Sequence, residues 1–294
     1  MNYPYDYTII GGDMRQVYLV EKLAESQKYV CHYALCNLPN KNHVIPSEFI
    51  TSVSSLEEAC RLSPSIIGPI PLCRNGSHLN QVDFETPLPI HLVLESLHSG
   101  QSFFSGCIPQ ILWDSLKKKG ICVYDLMENY SLSYFNSIAT AEGAICEAIK
   151  QSPINLHGSN CAILGFGKCG YTLCQSLKGL SCHTFVVARR EESLAQASIL
   201  AHQVGTMEEF NLHCQNFDFI FNTIPAQILT ATILSKLKPT VTIIDIASSP
   251  GGVDFDTAKS LGLKACLCPG LPGIYAPVSS AMALKKIITA IPTI

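Results

Sequence analysis

The sequence is short of charge, of arginine and of long apolar runs. Only 15% of its 294 residues are charged, with 20 Lys and Arg against 23 Asp and Glu. The net charge of −3 speaks against a nucleic-acid partner, which would ask for a basic patch or stripe. Arginine occurs five times, twice as the neighbours Arg189 and Arg190. No stretch approaches the roughly 20 consecutive apolar residues of a membrane span. The opening residues Met1–Asp6 lack the basic and apolar regions of a secretory signal. A cytoplasmic protein without a membrane or nucleic-acid partner is expected. No Cys-x-x-Cys pair occurs among the fourteen cysteines. Cys266-x-Cys268 comes nearest, with no second pair at zinc-site distance. Cys122, Cys146, Cys161 and Cys266 sit in apolar runs, where free thiols behave as small hydrophobes. Reduced core thiols and no metal site are therefore expected. None of the nine histidines falls in a motif.

What is present is apolar material, 47% of the chain, enough for two packed domains at roughly 100–200 residues each. Short β-rich runs alternate with helical periods. Strands are expected at 7–10, 29–36, 64–71, 102–106 and 121–125, helices at 15–26 and 108–119, and loop over 73–90. A helical segment over 137–151 ends at Ser152-Pro153. After it the rhythm resumes with strands at 161–164, 183–188, 217–222, 241–246 and 265–267. The expected class is α/β, with two Rossmann-like, doubly wound parallel-sheet domains joined by a connector helix and a cleft between them. The expected boundaries are 1–136 for an N-terminal substrate or partner domain and 137–152 for the connector helix. A dinucleotide-binding domain follows over 153–278, then a C-terminal helix over 279–294 returning toward the N-terminal domain.

The most specific signal is Gly165-Phe166-Gly167-Lys168-Cys169-Gly170, set between an apolar strand and a helix. Gly165 serves the tight turn, Gly167 the approach of a pyrophosphate, and Gly170 the close packing of helix on strand. The helix N-terminus adds free N–H groups and partial positive charge. An NAD site usually places Asp or Glu at the end of the second strand. Here Ala188-Arg189-Arg190 stands instead, and two guanidiniums suit a 2′-phosphate. The cofactor reading is thus NADP, with NAD as the alternative. Glu191 and Glu192 follow at once, and a simple pairing of the arginines with them is the competing account. Ligands of open α/β sheets lie beyond the carboxyl ends of the strands. That rule draws in Asn222, Thr223, Ile224 and Pro225, the loop from Ala247 and Ser248 to Gly252, and Pro269 to Gly273. Ordinary turn chemistry is the alternative for the Pro/Gly loops.

Taken together, several stretches resemble the family of the dipicolinate synthase A subunit. They are Gly11-Gly12-Asp13-x-Arg15-Gln16, Thr140-Ala141-Glu142-Gly143-Ala144, the Gly165–Gly170 turn, Asn222-Thr223-Ile224-Pro225, Asp245 to Gly252, Gly270-Leu271-Pro272-Gly273 and Ala276-Pro277. Two places depart from the family pattern: Lys168-Cys169 where an Arg is expected beside the second glycine, and Val278-Ser279-Ser280-Ala281 where relatives tend toward Lys-Thr-Ala-Gly. The resemblance implies nicotinamide-dependent oxidation of a dihydro- or tetrahydrodipicolinate ring to the aromatic diacid. It also implies a homo- or hetero-oligomer whose partner chain is a flavoprotein-like B subunit, and a place in the mother cell of a sporulating bacterium.

Such chemistry needs a proton acceptor and seats for two carboxylates. Arg15 and the turn containing Gly12 are the expected carboxylate seat, with Thr140, Pro272 and Gly273 as further substrate contacts. Arg15 also reads as an ordinary solvated helix residue. Glu142 is a candidate base, or equally a first-turn acid complementing a helix dipole, and Asp13 is the rival base. Two other classes remain open: a two-domain dehydrogenase of shikimate or 2-hydroxyacid type, and a non-catalytic nucleotide-binding subunit of a complex.

Overall fold

A computed structural model describes residues 3–36, 48–73, 76–82 and 86–292. Met1, Asn2 and parts of the 73–90 loop expectation lie outside them. The chain divides into two compact units, Met1–Phe135 with Ala276–Ile294 and Asn136–Tyr275.

In the first unit the strands are β1 (Tyr7–Ile10), β2 (Val30–Tyr33), β3 (Ile50–Ser52), β4 (Ser65–Ile67), β5 (Ser102–Ser105) and β6 (Cys122–Asp125). They form one sheet in the order β3-β2-β1-β4-β5-β6, with every pairing parallel. The helices α1 (Met14–Ala24), α2 (Leu56–Arg61), α3 (Ile90–Ser96) and α4 (Gln110–Lys118) lie between the strands in sequence. The central strands are buried on both faces. Ile9, Ile67 and Phe104 belong to one apolar cluster, and Ile10, Ile66 and Phe103 to another. Such two-sided burial is the reason these strands read as continuous apolar runs rather than alternating ones.

The helix α5 (Tyr130–Gln151) begins seven residues before the start expected for a connector. Asn129 explains the early start: its side chain accepts from the Leu132 N–H at 3.0 Å. A polar cap satisfies an amide that would otherwise be orphaned at the helix end.

The second unit repeats the plan. Its strands are β7 (Asn160–Leu164), β8 (His183–Val187), β9 (Gln203–Gly205), β10 (Phe219–Asn222), β11 (Thr242–Asp245) and β12 (Lys264–Leu267). The sheet order is β12-β11-β10-β7-β8-β9, again all parallel. Read from the other edge this is the 3-2-1-4-5-6 order of dinucleotide-binding sheets. Its helices are α6 (Lys168–Gly179), α7 (Glu191–Leu200), α8 (Met207–His213), α9 (Ala231–Leu234), α10 (Phe255–Ser260) and α11 (Leu271–Tyr275). Ala141, Ala144 and Ala148 of α5 bury against Cys161, Ile163 and Leu173 on one face of this sheet.

The last helix, α12 (Pro277–Ala290), starts two residues earlier than expected because Pro277 occupies its first turn, where the fixed φ and missing N–H of proline do no harm. It belongs to the first unit, where Ala281, Leu284 and Ile288 pack with Leu19, Val20 and Leu23 of α1. No helix among the described residues is long and apolar enough to cross a membrane.

Candidate functional site

The second unit carries a cleft of about 600 Å³ lined by Gly165 to Cys169, by Ala188, Arg189, Arg190 and Ser193, and by Thr223, Ile224 and Pro225. It lies at the carboxyl ends of β7, β8 and β10, the place where open α/β sheets take their ligands. Each wall has a local cause.

Gly165 leaves β7 at φ +99°, and a Cβ there would stand 2.3 Å from Thr223 Oγ1. That hydroxyl is fixed in turn, donating to the Leu164 carbonyl at 2.9 Å. Only glycine fits both the backbone angle and the space. Gly170 is a packing residue, since its Cβ would lie 2.2 Å from the Gly165 carbonyl oxygen. Gly167 is different, with nothing within 4 Å of its missing Cβ. It is the N-cap of α6, and no side chain caps that helix. Open space, an uncapped helix end and first-turn amides without intrahelical acceptors make a seat for a pyrophosphate. The residues present thus fit a dinucleotide.

Burial raises the Cys169 thiol above its ordinary value, with Lys168 pulling the other way. Cys169 is thus a neutral residue of the cleft wall.

Arg189 and Arg190 are exposed at the end of β8. Among the described residues neither forms an ion pair with Glu191 or Glu192. The competing account of the arginine pair therefore lacks its contacts. Sequence reasoning missed Ser193, which lines the same wall. The available signal was a serine on the first turn of the helix that follows the arginines.

Asn222 is not a cleft residue. It is fully buried, and its side-chain amide is committed to the chain itself. Oδ1 accepts from the Ile224 N–H at 3.0 Å, while Nδ2 donates to the Ile224 carbonyl at 3.1 Å and to Asp245 Oδ1 at 2.9 Å. Asp245, also fully buried, further accepts from the Ala247 and Gly252 amides at 3.0 and 2.7 Å. The pair holds the Thr223–Pro225 wall and the 247–252 loop in register. Ala247 and Ser248 stay outside the cleft lining, and Ala247 is buried.

The first unit has the same strand–turn–helix at Gly11-Gly12-Asp13, with the opposite result. Asp13 caps α1 through a reciprocal box with Gln16, placing a carboxylate where an anion would bind. Arg15, only 4% exposed, grips the Asp13 carboxylate with Nε at 2.9 Å and Nη2 at 2.7 Å, and Nη2 also donates to the Ile70 carbonyl. Arg15 is therefore no solvated helix residue, and Asp13 is no free base. The backbone of Gly12 is spent too, its N–H on Asn80 and its carbonyl on Val82.

Thr140 bonds back to the Asn136 carbonyl at 2.8 Å, and Pro272 and Gly273 are buried in α11. The Thr140 hydroxyl hydrogen is thus engaged within the helix, and neither Pro272 nor Gly273 carries a polar side chain. Glu142 lies in the middle of α5 rather than its first turn, because the helix starts at Tyr130. It is exposed and makes no ion pair among the described residues.

Comparison with known proteins decides the family. Residues 6–127 match the model of the N-terminal domain of the dipicolinate synthase A subunit. Residues 135–253 match that of the NAD-binding domain of D-isomer specific 2-hydroxyacid dehydrogenases. The dipicolinate synthase A subunit of Bacillus subtilis (strain 168) is 30% identical over 293 residues, covering 96% of this chain and 93% of that protein. The chain belongs to the dipicolinate synthase A-subunit family. Crystal structures agree. The dipicolinate synthase A subunit of Bacillus halodurans superposes at TM-score 0.83 and 28% identity, covering 99% of this chain and 98% of that one. The A chain of dipicolinate synthase from B. subtilis gives 0.79 and 29%, covering 99% and 96%. A transhydrogenase from Sinorhizobium meliloti shares the fold at TM-score 0.67 and 12% identity, covering 97% and 92%. The matched NAD-binding domain and the open glycine turn make the chain a nicotinamide-dinucleotide-dependent oxidoreductase.

Proposed function

We propose that the chain oxidises a dihydro- or tetrahydrodipicolinate ring to pyridine-2,6-dicarboxylate, with NADP as cofactor. Its proposed partner is a flavoprotein-like B subunit, and its proposed place is the cytoplasm of a sporulating mother cell. One observation carries the substrate. The dinucleotide half resembles a domain shared among dehydrogenases, whereas the other half matches a domain named for dipicolinate synthase. NADP is supported by Arg189 and Arg190, which have no ion-pair partner among the described residues and stand on the cleft wall where an NAD site would carry an acid.

From a dihydrodipicolinate the step removes one hydride and one proton and leaves the aromatic diacid. A bound nicotinamide supplies the hydride acceptor. The chain holds it by the backbone at Gly167 and the first turn of α6, with Thr223 and Ile224 walling the turn. Ala247 and Ser248 lie outside the lining of this cleft. Arg15 is the proposed contact for one ring carboxylate through Nη1, since Nε and Nη2 are engaged by Asp13 and Ile70. The neutralised pair around it lets Arg15 keep its place while a ligand approaches. Glu142, a carboxylate without a partner among the described residues, is the proposed proton acceptor.

The test is an assay of the purified chain, alone and with the B subunit, on dihydrodipicolinate with NADP. Reduced nicotinamide and pyridine-2,6-dicarboxylate forming in equal amounts supports the proposal. Reduction with 2-hydroxyacids but not with the ring would favour the dehydrogenase alternative, and no turnover in either state would leave a nucleotide-binding subunit.

A further inference from the structure

We propose that Ser193 completes a phosphate seat at the start of α7 and that this seat reads the 2′-phosphate of the cofactor. The inference rests on the NADP reading above and adds to it the residue that donates from the floor of the site.

Three observations meet there. Ser193 is 6% exposed yet lines the same cleft as Ala188, Arg189 and Arg190. Its hydroxyl has no hydrogen-bond partner among the described residues. Buried helix hydroxyls in this chain usually spend themselves on a carbonyl one turn back, as Thr172 does on Lys168 at 3.0 Å. Ser193 is the third residue of α7, so no helical carbonyl stands four residues before it, and its donor is left for the cleft.

The helix supplies the second part. The N-cap of α7 is Arg190, and no side chain closes the end. By contrast α8 is closed by Thr206 and α10 by Asp254. The ten-residue α7 presents its first amides and partial positive charge on the side where Arg189 and Arg190 stand without ion pairs. Glu191 and Glu192 are exposed on the same turn. Glu191 lies about 200° around the helix from Ser193, which takes its carboxylate away from the serine's face. A dianionic phosphate uses every one of these donors. A ribose hydroxyl can engage only one or two of them and offers no charge for the guanidiniums to pair with.

The experiment is calorimetric titration of the full chain and of Ser193→Ala and Ser193→Asp with NADPH, NADH, 2′,5′-ADP and 5′-ADP. The alanine variant should lose about tenfold in affinity for NADPH and for 2′,5′-ADP, the effect of one hydrogen bond to a charged group. NADH and 5′-ADP should bind as they do to the parent chain. The aspartate variant should lose NADPH while keeping NADH, which also reports that it is folded. Unchanged NADPH affinity in Ser193→Ala, with loss in Arg189→Ala, overturns the role of Ser193 and leaves the NADP reading standing. Equal weakening of NADPH and NADH overturns the assignment to the 2′-phosphate. A parent chain that does not prefer NADPH to NADH overturns both.

Discussion

Asn222 and Asp245 meet at 2.9 Å across the carboxyl ends of two neighbouring strands, both side chains fully buried. The carboxylate has three donors, one side-chain amide and two backbone N–H groups. Between them the two residues fix both loops that leave β10 and β11. Removing either partner strands polar groups away from water. Asn222→Ala should cost about 3 kcal/mol of stability, as unsatisfied buried groups of this kind do. Urea unfolding measures it. A variant as stable as the parent would show that the pair is not the organiser described.

The glycines of the turn divide into a packing class and a ligand class, and substitution separates them. Gly170→Ala puts a methyl 2.2 Å from a backbone oxygen and should destabilise the second unit by about 1–3 kcal/mol, the usual cost of overpacking. Gly167→Ala meets nothing within 4 Å and should leave the melting temperature within a degree or two. Its methyl occupies the path of the pyrophosphate, so dinucleotide affinity should fall tenfold or more. Equal effects of both substitutions on stability would contradict the division.

Asp13 is a structural acid in this account. Asp13→Ala removes a helix cap worth about 1 kcal/mol and leaves the Arg15 guanidinium buried without its counter-ion, for a total near 3–5 kcal/mol. Chemical denaturation should show that loss. A fully stable variant that had lost only turnover would instead identify Asp13 as a base.

The thiols give a pH dependence with a definite sign. Burial pushes Cys60 up to about 12, and burial pushes Cys31 up to about 11, against an ordinary value of 9.0. A thiol raised on folding holds its proton longer in the folded state than in the unfolded one. Its stabilisation is complete below pH 9 and is lost progressively as pH rises toward 12. Unfolding free energy measured from pH 8 to pH 11 should therefore fall over the upper half of that range. Replacing Cys60 by Ala should flatten the fall.

How much of this could be seen in the sequence follows from local physics. The buried runs at 7–10, 161–164 and 219–222 are apolar on both faces, so they read as parallel strands without any tertiary knowledge. The three-residue edge strands β3 and β9 are too short to show a period, and the order of strands is not written in any one of them. Gly165 and Gly170 were legible because a local angle or a local contact demands each, and Gly167 because the spacing of the turn marks the position left open for a phosphate. Asn222 was harder to read for the opposite reason. Its position at a strand end fits a cofactor contact equally well, and only the long-range partner Asp245 shows that its amide is already used. Asp13 and Arg15 likewise form a motif at the start of a helix, and the motif does not say that the two residues answer each other.

The account stands most directly on the cofactor of the second unit. Titration of the purified chain with NADPH and NADH, repeated for Arg189→Ala, measures it. The expected result is tighter binding of NADPH, with that preference lost in the variant and NADH affinity unchanged. Tighter binding of NADH, or binding of neither nucleotide, would contradict it.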